Sequence, residues 1–315
     1  MTKIVFAEPI GLTDQEKVLF TSQMESQGCS VTYFDDIPKT DNELTERIGD
    51  AQILVVSNLP VSAGVIERAP ALEHIAVAFT GVDHIAREAC KAKGINISNA
   101  AGYSTQAVAE LTMGMAIDLF RNMTPADTVT RMLGGREGYL GRELSGKTFG
   151  IIGMGAIGQR VAQLANAFGC NVISWTRTKK DIDYVKFTEF DDAIKSADIL
   201  SLHLPLTPET ENLIGIREFK MMKPSSILIN TARAKIVNER ALIDALYQKL
   251  IAGAALDIYQ YEPPLKKDYP LLKANNTLML PHIGFATHEA IALRSRIIFE
   301  NIKGWLNGKP QNIVD

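Results

Sequence analysis

At 315 residues the chain is long enough for two domains with separate cores. Its 46% hydrophobic and 22% charged content is ordinary for a globular protein, and a net charge of −3 gives no electrostatic reason to expect nucleic acid or an anionic membrane as partner. No apolar run reaches transmembrane length, MTKIVFAEP is too short and polar for a signal peptide, and Cys29, Cys90 and Cys170 lack metal-type spacing, so no metal and a cytoplasmic protein with reduced, buried thiols are expected.

Strand and helix patterns alternate from the start. Strands are predicted at Lys3 to Ala7, Val31 to Phe34, Ile53 to Val56, His74 to Ala78 and Ile95 to Ile97. Helices are predicted at Asp14 to Gln27, with Val18, Leu19 and Met24 on the inner face, at Asn42 to Ile48 and at Val65 to Arg68. The first hundred residues thus read as a small parallel α/β domain. The turn-like stretch Asn99 to Thr105 leads into a helix from Gln106 to Arg121, with Ser104 or Thr105 as its cap. A polar segment from Thr124 to Arg142 comes next, of a kind that often packs on a second subunit.

Thr148 to Trp175 is the most informative stretch. An apolar run, Phe149 to Ile152, is followed at once by Gly153-x-Gly155-x-x-Gly158 and then by a helical pattern carrying Val161, Leu164, Ala165 and Phe168. Gly169 stops that helix, and Asn171 to Trp175 reads as a second strand. The first glycine permits a tight turn, the second lets a pyrophosphate approach the backbone, and the third lets helix and strand pack closely. Phosphate charge would face the helix N-terminus. Set between strand and helix, the pattern reads as a dinucleotide-binding unit.

Alternation continues with helices at Phe190 to Ala197, within Thr210 to Met222 and at Glu239 to Leu250. Strands are expected at Ile199 to Leu202, Ser226 to Asn230, Gly253 to Leu256 and Thr277 to Leu280, and a long helix at His288 to Leu306. Six or so parallel strands wrapped by helices make a doubly wound sheet inserted into the first domain, to which the last helix returns. The expected domains are 1–99 with 286–315, and 100–285. Two chain crossings, near Ala100 and Phe285, suggest a hinge that closes over substrate.

Four stretches that come directly after apolar runs carry unusual polar residues: Ser201 to Thr207, Asn230 to Arg233, Asp257 to Pro263 and Pro281 to Gly284. All should emerge on one edge of the sheet, beside the glycine loop. In the first domain, Phe79 to Asp83 comes after a strand, where small residues would let backbone N–H groups point at a carboxylate. A plain connecting turn fits that loop equally well.

GMGAIG, LHLPLTPET, INTAR, AGAALDIYQYEP and LPHIG, in that order, resemble the D-isomer-specific 2-hydroxyacid dehydrogenases over essentially the whole chain. The resemblance implies a Rossmann dinucleotide-binding domain inserted into a flavodoxin-like substrate domain, both doubly wound. It also implies reduction of a small 2-keto acid to a 2-hydroxy acid with a nicotinamide cofactor, in a homodimer. Arg233, Glu262 and His282 stand at the family's catalytic positions. Arginine offers a planar fork for carboxylate and carbonyl oxygens. Histidine donates a proton to the forming alkoxide, and glutamate orients the ring and favours its imidazolium. Gly153, Gly155, Ala156, Ile157, Gly158, His203, Pro205, Thr231, Asp257 and Gly284 match cofactor-lining positions. Thr80, Gly81 and Val82 match the carboxylate-holding loop, and Asn58 the substrate side. His74, His84 and His288 lack a partner motif.

The chain departs from the family pattern at Ala234, at Phe285 and, most of all, after the second strand of the dinucleotide unit. NAD-using relatives carry an acid there, whereas this chain has Thr176, then Arg177, Thr178, Lys179 and Lys180. Thr176 lies eighteen residues after Gly158, near the spacing of about 20 at which an acid binds the ribose 2′-hydroxyl. Arg177 can pair with a 2′-phosphate, so NADPH is expected to be preferred to NADH. A solvated turn at Arg177 to Lys180, with NAD held elsewhere, is the plainer alternative. Two other readings remain: a non-catalytic dinucleotide-sensing corepressor, which can retain the triad, and a formate dehydrogenase, whose branch replaces the glutamate by glutamine. Phosphoglycerate oxidation is disfavoured, because that branch has a basic residue near Asn58 and often a C-terminal regulatory domain.

Overall fold

The structure, a computed structural model, describes residues 1–274 and 276–314. Asn275 and Asp315, the latter closing the expected segment 286–315, lie outside the described residues. Chain order begins β1 (Thr2–Phe6), α1 (Asp14–Glu25), β2 (Cys29–Tyr33), α2 (Asp41–Ile48), β3 (Ile53–Val56), α3 (Ala63–Glu67), β4 (His74–Val77), α4 (Arg87–Lys93) and β5 (Asn96–Asn99). It continues α5 (Thr105–Arg121), α6 (Met123–Arg131), β6 (Thr148–Ile152), α7 (Ala156–Ala167), β7 (Asn171–Trp175), β8 (Val185–Phe187), α8 (Phe190–Ser196) and β9 (Ile199–Leu202). It ends α9 (Ile216–Met221), β10 (Ile227–Asn230), α10 (Glu239–Tyr247), β11 (Gly253–Leu256), β12 (Thr277–Met279) and α11 (His288–Leu306).

Two units result, Met1–Ser104 joined by the chain from Thr287 onward, and Thr105–Ala286. In the first, five parallel strands run in the order β2-β1-β3-β4-β5. This is the flavodoxin-like order. In the second, seven parallel strands run β12-β11-β10-β9-β6-β7-β8, with β6 at the point where strand order reverses. Both sheets are covered on two faces, so β3, β4, β9, β10 and β11 are buried at every residue. Alternation along each strand divides the second core. Ile152, Leu228 and Ala254 face one side with Phe219 and Leu242, while Ile151, Ile229 and Ala255 face the other with Val161 and Met113.

The pairing register positions the site. Ile152 pairs with Trp175 and with Leu202, Asn230 with Leu202 and with Leu256, and Leu256 with Met279. Six strands therefore end on one line, and the loop after each strand emerges on the same edge. In the first unit Phe6 pairs with Val55, Val56 with Val77, and Val77 with Asn99, which aligns the loops after those strands likewise.

Helix ends reflect side-chain chemistry. The Thr13 hydroxyl accepts from the Glu16 N–H, and the Glu16 carboxylate accepts from the Thr13 N–H, a reciprocal cap that starts α1. The Thr287 hydroxyl caps α11 through the Ala290 N–H. The inner face of α1 differs from the expectation. Phe20 and Met24 are buried, whereas Val18 and Leu19 are exposed, because the four-residue spacing of Phe20 and Met24 sets the helix phase. Phe20 is fixed there by stacking on Phe299 of α11 at 4.1 Å. Phe168, expected to continue the stripe of α7, is exposed past the helix end. Two short elements had no sequence signal strong enough to read, α4 and the edge strand β8.

His74 begins β4 fully buried, stacked on Trp305 of α11 at 5.4 Å, with its Nε2 3.0 Å from the Ser98 hydroxyl. Burial pulls its pKa down from 6.5 to about 4. Because the folded value is the lower one, the unfolded chain takes the proton first as pH falls. Stability from a neutral His74 is complete above pH 6.5 and is lost on acidification through pH 4. Unfolding free energy should therefore fall between those pH values by on the order of 3 kcal/mol more in the native sequence than in His74→Gln. Denaturant titrations at several pH values check this, and parallel slopes for both proteins would contradict it.

Candidate active site

The glycine loop occupies the start of the common edge in the second unit. Gly153 has φ of +100°, and a Cβ there would meet the His203 carbonyl oxygen at 2.4 Å. At Gly158 a Cβ would meet the Gly153 oxygen at 2.1 Å, so the turn closes only with glycine at both positions. A Cβ at Gly155 would meet nothing within 4 Å. Space is thus left open at the one glycine where a ligand's backbone approach is expected. The first turn of α7 begins here with no side-chain cap, so its amides face that space without a competing side chain. Ala156 and Ile157 form this first turn. These residues fit a dinucleotide's pyrophosphate.

Thr176 is half-buried directly after β7, and Arg177 beside it is exposed. The Thr207 hydroxyl, with a smaller contribution from the Arg177 charge, holds the Glu209 carboxyl below its usual range, so Arg177 and the 205–210 loop share one local field. His203 lies just past β9, its Nε2 2.8 Å from the Ser201 hydroxyl, and burial pushes its pKa down to about 3. It is a neutral ring at physiological pH. Pro205 is exposed just beyond, and its carbonyl accepts from the Thr210 hydroxyl at 2.7 Å.

After β10, the buried Asn230 shapes the next loop. Its side-chain oxygen accepts from the Ala232 N–H at 3.0 Å, and its amide donates to the Arg233 carbonyl at 2.9 Å. Thr231, whose hydroxyl lies 3.4 Å from that of Thr112, and Arg233 are presented by this turn. Asn230 is a positioning residue missing from the set expected on sequence, although an Asn at a strand end before a polar triplet is an available Asx-turn signal.

His282 and Glu262 meet after β12 and β11. The His282 Nδ1 lies 2.9 Å from both carboxylate oxygens of Glu262. The hydrogen bond from His282 holds the Glu262 carboxyl below its usual range, opposed by burial and supported by the charge of Arg233. The ring is 14% exposed and packs edge-on against Phe285 at 5.5 Å. Its backbone is unusual, with φ of +59° in the left-handed region. For a non-glycine residue this costs roughly 1–3 kcal/mol. The buried Asp257 after β11 offsets the strain: one of its oxygens accepts from the Ile283 N–H at 2.8 Å and the other from the Gly284 N–H at 2.7 Å. Burial pushes the Asp257 pKa up, and these two amides oppose the rise. Gly284 is itself required, since a Cβ there would meet the Asp257 carboxylate at 2.8 Å. Through these two hydrogen bonds Asp257 locks the turn that carries His282.

In the first unit, Asn58, Thr80, Gly81 and Val82 lie on the edge after β3 and β4. Asn58 is half-buried, Thr80 is exposed and Val82 is buried. The Asn99 side chain holds the Thr80 carbonyl at 2.6 Å, and the Ile85 N–H donates to the Val82 carbonyl at 3.1 Å. The N–H groups of Gly81 and Val82 donate to no acceptor among the described residues.

A model of the "D-isomer specific 2-hydroxyacid dehydrogenase, NAD binding domain" matches residues 113–284, more than half the chain. The chain belongs to the D-isomer specific 2-hydroxyacid dehydrogenases. Among relatives of this family, a glyoxylate reductase of Thermococcus litoralis is 37% identical over 279 residues, covering 84% of this chain and 83% of that one. A D-3-phosphoglycerate dehydrogenase of Methanocaldococcus jannaschii is 40% identical over 284 residues, and the match takes in 88% of this chain but 54% of that protein's length. An acyclic imino acid reductase solved with NADPH and D-Arg superposes with a TM-score of 0.92 at 30% identity, each chain covered to 100%. As a member of the 2-hydroxyacid dehydrogenases the chain is an NAD(P)-dependent oxidoreductase.

Asp257→Asn tests the lock on His282. An amide has one accepting oxygen, so one of the two N–H groups would face an NH2 donor. Stability should drop by about 1–3 kcal/mol. Turnover should fall about tenfold or more, equivalent to roughly 1.4 kcal/mol of lost alignment. Thermal unfolding beside steady-state kinetics checks both, and unchanged turnover in a folded variant would show that the turn holds without Asp257.

Proposed function

We propose that the chain reduces a small 2-keto acid to the D-2-hydroxy acid, and the contact of His282 with Glu262 on the edge that also carries the glycine loop supports this most. When bound at Gly153 to Gly158, the nicotinamide cofactor supplies a hydride to the keto carbon. The protein's residues do the rest. Nδ1 of His282 is committed to Glu262, so the proton for the forming alkoxide leaves from Nε2. Glu262 orients the ring and favours its protonated form. Arg233 grips the substrate carboxylate and carbonyl oxygen with its planar fork. The N–H groups of Gly81 and Val82 supply a second carboxylate cradle. His203, Pro205 and Thr231 line the cofactor side. Glyoxylate and hydroxypyruvate head the substrate class, in keeping with the glyoxylate reductase relative.

The protein acts as a homodimer. Met132, Leu133 and Leu140, after α6, are 76%, 96% and 97% exposed, an apolar set that a second copy would cover. No described helix is long and apolar enough to cross a membrane, Cys29, Cys90 and Cys170 are buried free thiols, and the reading places the enzyme in the cytoplasm.

His282→Ala should lower keto acid reduction by about a hundred- to ten-thousand-fold while cofactor binding persists. NAD(P)H absorbance with a panel of keto acids measures turnover, and fluorescence titration measures cofactor binding. Turnover within about threefold of the native enzyme would remove His282 from the mechanism. No absorbance loss with any keto acid in the native protein would favour the dinucleotide-sensing alternative.

NADPH is the preferred cofactor in this reading. Thr176 neither repels a 2′-phosphate nor offers a charged acceptor to a 2′-hydroxyl, and Arg177 adjoins it. The imino acid reductase of similar fold was solved with NADPH. A charge-assisted bond of about 1.5–3 kcal/mol corresponds to a preference of roughly ten- to a hundred-fold. The kcat/KM ratio for NADPH over NADH should show it, and Thr176→Asp/Arg177→Ala should reverse it. A native preference for NADH, or a ratio unmoved in the double variant, would refute it.

A further inference from the structure

Glu8 and Arg294 are buried charged residues that the mechanism above does not use. Glu8 lies two residues past β1. Its Oε1 accepts from the Ser57 N–H at 2.6 Å and the Leu59 N–H at 2.9 Å. One carboxylate oxygen therefore holds the amides on either side of Asn58, in the loop after β3. Arg294, in the first half of α11, is the cation whose charge acts on Glu8. Its guanidinium also donates to the Ile10 carbonyl and lies 5.7 Å from the centre of the Tyr103 ring. The Tyr103 ring in turn sits 6.2 Å from that of Phe79, which opens the Phe79 to Val82 loop.

All these residues belong to the first unit: Glu8 holds the Ser57 and Leu59 amides, and Arg294, whose charge acts on Glu8, lies against the Tyr103 ring, which in turn faces Phe79. Both loops, at Ser57–Leu59 and at Phe79, lie on the edge that carries the substrate-side residues. A buried pair of opposite charges is weak support for stability, since apolar residues of similar volume serve as well. What a carboxylate does that an apolar side chain does not is fix a turn by its amides. The turn it fixes carries Asn58, whose half-buried side chain has no hydrogen-bond partner among the described residues.

We propose that Glu8 is a positioning residue for substrate recognition, setting the Ser57–Leu59 turn so that the Asn58 side chain meets the substituent of the 2-keto acid, with Arg294 as the nearby positive charge. This rests on the reading of Asn58 and Thr80 to Val82 as the substrate side of the site. The role is to place a binding group, so it shows in substrate KM rather than in the hydride or proton step.

The test uses the full chain with glyoxylate and hydroxypyruvate as probes and compares Glu8→Gln, Arg294→Lys, Asn58→Ala and the double variant Glu8→Gln/Asn58→Ala. Glu8→Gln is nearly isosteric and keeps one accepting oxygen, but loses the charge that strengthens its grip on the Ser57 and Leu59 amides. It should raise KM for at least one keto acid about tenfold, with kcat within about threefold and KM for the cofactor unchanged. Arg294→Lys keeps the charge and should stay near native KM. The effects of Glu8→Gln and Asn58→Ala should be strongly non-additive, because one acts through the other. If Glu8→Gln only lowers the melting temperature with KM unmoved, or if the two effects simply add, the positioning role is overturned. Should Glu8→Gln fail to fold, Arg294→Met is read against the same cycle with the same outcomes. Asn58→Ala separates the two ideas. If it raises KM while the Glu8 and Arg294 variants do not, the substrate loop stands and the positioning role falls. If it leaves KM unchanged for both acids, the substrate-loop reading itself is wrong.

Discussion

Parallel pairing in a common register is the constraint on which the rest of this structure depends. With Ile152, Trp175, Leu202, Asn230, Leu256 and Met279 aligned across the sheet, side chains separated by more than a hundred residues in sequence emerge within one band. A slip of one residue in any strand would exchange the side chains packed in the two cores on either side of the sheet and send its next loop elsewhere. Burial on both faces makes such a slip costly, since each fully buried aliphatic side chain contributes roughly 1.5–3 kcal/mol. The packing of the two cores thus enforces the placement of the chemistry.

At that edge, strain and buried charge are balanced against one another. His282 occupies a left-handed backbone conformation that its side chain disfavours. Asp257 is buried where a carboxylate is disfavoured. The two Asp257 hydrogen bonds relieve the second condition while holding the first in place. The result is an imidazole whose direction is set by the backbone turn, by the Glu262 carboxylate at Nδ1 and by the edge of Phe285. Glu8 is the counterpart in the other unit, a buried carboxylate whose amide partners define a loop. In both cases an acidic residue near a strand end holds main-chain amides.

Three histidines illustrate how environment assigns role. His74 is stacked on Trp305 in a core and kept neutral by burial. His203 is neutral for the same reason and takes its orientation from Ser201. His282 is paired with a carboxylate and lies at the strand-end edge. The same side chain serves as core filler, as a neutral ring held by a serine and, in the proposed reaction, as the proton donor, according to its dielectric surroundings and its partner.

Much of this was legible in the residues alone. Two-fold alternation and apolar runs marked the strands, turn residues bounded them, and Gly153 and Gly158 announced the turn because a Cβ at either would collide with backbone, while Gly155 leaves open space. The triad of Arg233, Glu262 and His282 was readable as residue types at family-like separations. Other features were not, because they depend on packing between distant segments. The inner face of α1 was decided by Phe299, 279 residues further along from Phe20, and not by the hydrophobicity of Val18 and Leu19. The positive φ of His282 and the grip of Asp257 on the next two amides have no local signature, since nothing in Pro281-His282-Ile283 demands a left-handed turn. The hold of Glu8 on the Ser57 and Leu59 amides joins residues 49 and 51 positions apart. Local sequence determined which elements form and what chemistry they carry. The tertiary structure decided which side chains face inward, which carboxylates hold backbone and which histidine keeps a charged partner, because burial and long-range hydrogen bonding exist only once the chain has folded.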